Sequence, residues 1–133
     1  MWSHEMDNIE VLVVKDEHNE RPIPEVWRDV FCQIVKLISG GNYLADSPIF
    51  NVKPLSLSDS KCIQSSIEAY GEELTELPVA TWDSSVYIWM GTHWNVIIDL
   101  WTRSEGRSDL IMSAKVYERR NDYLFVVNMV YVP

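Results

Sequence analysis

The stretch Val86-Tyr87-Ile88-Trp89-Met90-Gly91-Thr92-His93-Trp94-Asn95-Val96-Ile97-Ile98-Asp99-Leu100-Trp101 decides the fold. Val86, Ile88 and Met90 alternate with Tyr87 and Trp89. Beyond a Gly91-Thr92-His93 turn, Trp94, Val96, Ile98 and Leu100 alternate with Asn95, Ile97, Asp99 and Trp101. A period of two sends successive side chains to opposite faces of a strand. A short turn between two such runs predicts antiparallel neighbours. A loop at Thr102–Ser108 leads to a third run, Leu110–Tyr117, and the turn Arg119–Asp122 leads to a fourth, Tyr123–Val132. These runs predict a four-stranded meander.

Upstream the period is helical. Trp27, Phe31, Ile34 and Ile38 recur at helical spacing, with Val30 and Val35 beside them. Pro22-Ile23-Pro24-Glu25 opens this helix. Pro24 suits the first helical position and Glu25 the positive end of the dipole. Gly40-Gly41 ends it. A second helix is predicted from about Ser58 to Tyr70, with Ile63, Ile67 and Tyr70 as its apolar stripe. Ser56 with Asp59, or else Ser58, caps it, and Gly71 stops it. Between the helices Ile49–Val52 is a candidate short strand, and near the N-terminus Ile9–Val14 is a candidate extra strand after a loose polar arm at 1–8. The fold class is therefore α+β: two helices covering one face of a four-stranded antiparallel meander, in a single domain over 1–133.

A chain of 133 residues with 47% hydrophobic and 23% charged residues has the size and composition of a globular domain. Its formal charge is −9, which repels nucleic-acid phosphates and anionic lipid and favours either a basic protein partner or simply solubility, as a solvated face. Residues 1–98 hold 15 acids and 6 bases, whereas 99–133 hold 5 of each. The densest acidic stretch, Asp59–Asp83, has six acids and one base. Glu68, Glu72, Glu73, Glu76 and Asp83, with Trp82 as an aromatic anchor, are the candidate partner-binding residues. The alternative surface is the meander, with Trp89 or Trp101. Alternation sets Tyr87 and Trp89 opposite Val86 and Ile88, and Trp94 opposite Trp101, so one aromatic set lies off the main core. No apolar run approaches the ~18 residues of a membrane span, and no basic leader opens the chain, so the expected compartment is the cytoplasm. Cys32 and Cys62 fall inside the two helices and read as partly buried free thiols.

No motif names a reaction. His4, His18 and His93 are far apart, no Gly-rich phosphate loop or nucleophile elbow is present, and neither cysteine has a nearby histidine. The expectation is a protein with no catalytic residues, no metal and no cofactor. The one cluster resembling enzyme chemistry is Asp99, Glu105, Arg107 and Asp109, an arrangement suited to a divalent metal or a phosphate. It falls in a hairpin loop, so it reads better as structural, with Arg107 pinning the loop by pairing with Asp109, Glu105 or Asp99.

The stretch Trp94–Leu110 reads WNVIIDLWTRSEGRSDL, with PEVW at Pro24–Trp27 and VYVP at the C-terminus. Over most of 22–133 this pattern resembles a small bacterial domain family. That family is similar in size and layout to immunity proteins of polymorphic toxin and contact-dependent inhibition systems. The resemblance implies a non-enzymatic protein that neutralises a cognate toxin domain, and many such toxins are basic nucleases. An interaction domain without a toxin is the alternative, and a metal-dependent phosphodiesterase or nuclease the third reading.

Overall fold

The computed structural model describes residues 13–46 and 48–133, so the arm at 1–8 and most of Ile9–Val14 lie outside the described residues. Helix α1 runs Glu25–Ser39 and α2 runs Leu57–Tyr70. The strands are β1 (Arg21–Pro22), β2 (Val86–Trp89), β3 (Trp94–Thr102), β4 (Gly106–Glu118) and β5 (Tyr123–Tyr131). They form one antiparallel sheet in the order β1-β2-β3-β4-β5. The architecture is the expected α+β arrangement with the predicted meander as its body. The extra N-terminal strand is present as Arg21–Pro22 and not at Val13–Val14. Val14 N–H instead donates to Tyr87 Oη at 3.1 Å, and its carbonyl accepts from Trp94 Nε1 at 3.0 Å.

Local chemistry explains the helix ends. Ser56 caps α2, its hydroxyl accepting from the Asp59 N–H at 3.1 Å. Gly71 follows at φ 83°, a left-handed conformation that glycine adopts without a Cβ penalty. Pro24 is the residue before α1, with extended backbone, and not its first helical residue. Ile49–Val52 forms no strand. Val52 makes one parallel bridge to Phe125, and Pro48 and Pro54 bracket the segment so that no ladder can grow.

Both helices and one face of the sheet share a core. Trp27, Phe31, Ile34, Val35 and Ile38 from α1 and Ile63 and Ile67 from α2 meet Trp94, Val96, Ile98 and Leu100 from β3. Leu110, Met112, Ala114 and Val116 from β4 and Phe125, Val127 and Val130 from β5 complete it. The Trp27 ring stands edge-on to Tyr87, Trp94, Tyr123 and Phe125, with centroids 5.2, 5.3, 5.5 and 6.3 Å away.

The ladder register defines the opposite face. It carries Val86 and Ile88 on β2, and Asn95, Ile97, Asp99 and Trp101 on β3. From β4 come Arg107, Ile111, Ser113, Lys115 and Tyr117, and from β5 come Leu124, Val126, Met129 and Tyr131. None of these residues belongs to the shared core. Trp94 and Trp101 thus lie on opposite faces, and Tyr87 and Trp89 point to the helices.

The sheet edge beside β2 and β3 is closed piece by piece. β1 pairs with Tyr87 and Val86, and Trp89 N–H donates to the Asp16 carbonyl at 3.4 Å. The Asp16 carboxylate accepts from His18 N–H at 2.9 Å, and also from Asn19 and Arg21, which hold its pKa down to about 2. Past the end of β2, Thr81 Oγ1 donates to the Asp99 carbonyl at 2.8 Å and Ser85 Oγ accepts from the Asp99 N–H at 3.0 Å. Thr75 N–H then donates to the Trp101 carbonyl, and Arg103 N–H to the Glu73 carbonyl, both at 2.9 Å. These contacts occupy much of this edge of β3, which blunts it against strand addition.

Replacing Trp27 with alanine removes the ring that both layers share and should cost about 3–5 kcal/mol. Phe50→Ser, at a residue 90% exposed, should change stability by less than about 0.5 kcal/mol. Urea denaturation of both variants checks this, and equal midpoints would contradict the packing described.

Candidate interaction surfaces

The predicted acidic surface is held on a rigid support. Residues 72–76 leave α2 and run antiparallel to the end of β3, with Leu74 bridged to Thr102 and its side chain buried in the core. That anchor leaves Glu72, Glu73 and Glu76 exposed, with Glu68 and Asp83 also exposed. Glu72 accepts from Ser104 Oγ at 2.8 Å, and Glu68 accepts from Gln64 at 3.1 Å. Glu73 pairs with Arg103 at 3.2 Å, but both side chains are largely exposed, so the pair contributes at most ~1 kcal/mol. Among the described residues, Glu68, Glu72, Glu76 and Asp83 form no ion pair.

Trp82 is not part of that surface, contrary to the sequence expectation. It is 9% exposed, sits in the shared core, and lies under the Arg28 guanidinium at 5.4 Å. The cause is a 3-10 turn, Val79–Asp83, folded back by the Thr81 contact to Asp99. A single turn of this kind leaves no periodic signal.

The hairpin residues divide. Glu105 pins the turn: its carboxylate accepts from Tyr70 Oη at 2.9 and 3.0 Å and from Thr102 Oγ1 at 2.9 Å, and its N–H donates back to Thr102 Oγ1 at 3.1 Å. Asp109 contributes its backbone N–H, donated to Tyr70 Oη at 3.1 Å. Asp99 accepts from Ser84 Oγ through its carboxylate. Arg107 is exposed and makes no ion pair with any of the three acids. The expected Arg107 pin is therefore corrected to Glu105 with Tyr70. The reason is the turn's length: β4 already starts at Gly106, whose φ is 76°, so Arg107 stands in the strand opposite Trp101. Tyr70 lies 35 residues from Glu105, and no local pattern reports that contact.

Among the described residues, no group of three or more His, Cys, Asp or Glu is placed to hold a metal. A groove of about 490 Å³ beside the end of α1 has, among the described residues, Lys36 as its one charged lining residue, so these residues offer no acid–base pair. Cys32 is half-buried and Cys62 exposed, and both are free. Burial pushes the Cys32 thiol pKa up, and Asp29 and Glu76 add to it, which disfavours the nucleophilic thiolate. No described helix is long and apolar enough to cross a membrane.

A family model described as "Domain of unknown function (DUF7668)" matches residues 35–133. The chain belongs to this family. No curated protein and no solved structure matches the chain. The DUF7668 match takes in the end of α1, α2, the acidic connector and β2–β5.

Within that matched region, the sheet face away from the helices differs in chemistry from the acidic connector. Its ladder positions are mostly aliphatic or aromatic, with Asp99 as their one acid and Arg107 and Lys115 as their bases. Asp109 lies in the irregular stretch at one end. Solvated sheet faces ordinarily read as polar positions alternating with the core. This one does not: its apolar side chains are half-buried, with Met129 exposed at 50% and Ile111 buried.

Tyr70→Phe and Glu105→Ala should each lower the melting temperature through the lost hairpin bonds. Arg107→Ala should leave the melting temperature unchanged. Thermal melts of the three variants check this, and a drop for Arg107→Ala alone would reverse the assignment.

Proposed function

We propose that this domain is an immunity protein: it binds a cognate bacterial toxin domain of basic, nuclease type and neutralises it by covering the active site or substrate surface. It catalyses nothing, needs no cofactor and works in the cytoplasm. The observation carrying the proposal is the acidic connector. Its carboxylates are exposed, Glu72 and Glu76 form no ion pair among the described residues, and the backbone of 73–75 is bonded to the end of β3. A charged surface fixed before binding steers an opposite charge and adds little ordering cost on docking. The −9 charge and the resemblance to immunity proteins point the same way. A general interaction domain without a toxin is the second reading, favoured by the apolar sheet face.

The test is co-expression with the product of the neighbouring upstream reading frame, followed by association kinetics on the purified pair. Glu68→Lys, Glu72→Lys and Glu76→Lys together should slow association several-fold at low salt and flatten its salt dependence, because steering weakens as the Debye length shrinks. Dissociation should change less, and the fold should persist, since none of the three is buried. An unchanged association rate at low salt would reduce the acidic connector to a solvated face. Trp82→Ala should lower stability, not speed dissociation, because its ring is in the core.

A further inference from the structure

We infer that the sheet face opposite the helices docks a second copy of this chain, so that two sheets stack into a sandwich across a two-fold axis. This does not depend on the toxin reading, which uses the acidic connector.

Three properties of the face select a second copy over other occupants. The first is charge. The chain carries 20 acids, and the ladder positions of this face include one of them, Asp99, already engaged by Ser84. A basic protein finds almost nothing to pair with there, and a nucleic acid finds only Arg107 and Lys115. Two chains of charge −9 repel each other, and at the ladder positions of this face each brings a single carboxylate against the other. Lys115 lies inside the patch, where its four-carbon stem adds apolar surface and its ammonium can reach solvent at the rim.

The second property is composition. Ile97 and Met129 flank Ser113 across the middle of the ladder, Trp101, Tyr117 and Tyr131 stand around them half-buried, and Ile111, itself buried, forms the floor. Aromatic residues and methionine with few charges characterise the cores of homodimer interfaces. Met129 is 50% exposed, a large apolar side chain standing out from a sheet face.

The third is size and shape. β3 and β5 are nine residues each. With strand spacings of ~4.8 Å and ~3.3 Å per residue, the patch covers roughly 500 Å² in projection. Side-chain relief raises that towards the ~600 Å² per partner at which stable interfaces begin. Stacked sheets pack ~10 Å apart with strands within ~30° of each other, a geometry a flat two-layer domain can adopt. Extension of the sheet edge to edge is not open on the β2–β3 side, because β1, the Thr81–Ser85 turn and the 73–75 segment occupy it.

The experiment is light scattering on the eluting full chain at micromolar and submillimolar concentration. The expected mass is twice 15.5 kDa at the higher concentration. Met129→Glu, at a half-exposed position, should weaken association on the order of ten-fold or more while keeping the wild-type melting temperature. Ile97→Glu should do the same from the centre of the patch. If Ile97→Glu fails to fold, Met129→Glu decides. Phe50→Ser, off the patch, should leave the dimer intact. A wild-type mass of one chain at submillimolar concentration overturns the inference. So does a dimer that survives Met129→Glu, or one that is lost in Phe50→Ser, since either places the contact elsewhere.

Discussion

Trp27 makes edge-to-face contacts with rings from three different strands: Tyr87 on β2, Trp94 on β3, and Tyr123 and Phe125 on β5. Such pairs add about 0.5–1.5 kcal/mol each beyond the area they bury. The ring so held is fully buried, although its Nε1 finds no hydrogen-bond partner, a cost accepted for the packing. This one side chain sets α1 on the sheet. Once α1 is set, the side of the sheet that forms the core is decided, and α2 completes the same layer through Ile63 and Ile67.

The two surfaces follow from that choice. With both helices joined to one face, the other face of β2–β5 keeps its own side chains, and these are mostly apolar. The chain between α2 and β2 runs along the edge that β2 is too short to cover. Leu74 enters the core, Thr75 and Glu73 bond the backbone of β3, and the glutamates between and around them face water. The acidic connector is thus a by-product of closing a sheet edge. Its position is fixed by the same hydrogen bonds that keep that edge from pairing with another chain. One surface is charged, with its backbone bonded to the end of β3, and the other is mostly apolar.

Much of this was legible in the sequence because it is periodic. The alternation from Trp94 to Thr102 reports burial residue by residue, and the Trp27-Phe31-Ile34-Ile38 spacing reports the buried stripe of α1. The opposed faces of Trp94 and Trp101 also came from parity alone. What failed was set by contacts distant in sequence. β1 is two residues long and exists only because Tyr87 and Val86 pair with it. Trp82 reads as exposed beside Asp83 and is buried by a short turn. Arg107 sits beside three acids in the sequence, yet Glu105 turns to Tyr70 across 35 residues and leaves Arg107 in the strand. The apolar face itself was half legible: alternation showed two sets of large side chains, but not which set the helices would take.

The central claim is that one sheet face is covered by the helices and that the opposite face, which no helix among the described residues covers, docks a second copy as proposed. Hydroxyl-radical footprinting of the wild-type chain over a range of protein concentrations tests it most directly. Met129 lies on that face at 50% exposure, and Phe50 lies off it at 90%. The account predicts that modification of Met129 falls as concentration rises while modification of Phe50 stays constant. Constant modification of Met129, or parallel protection of both residues, would contradict it.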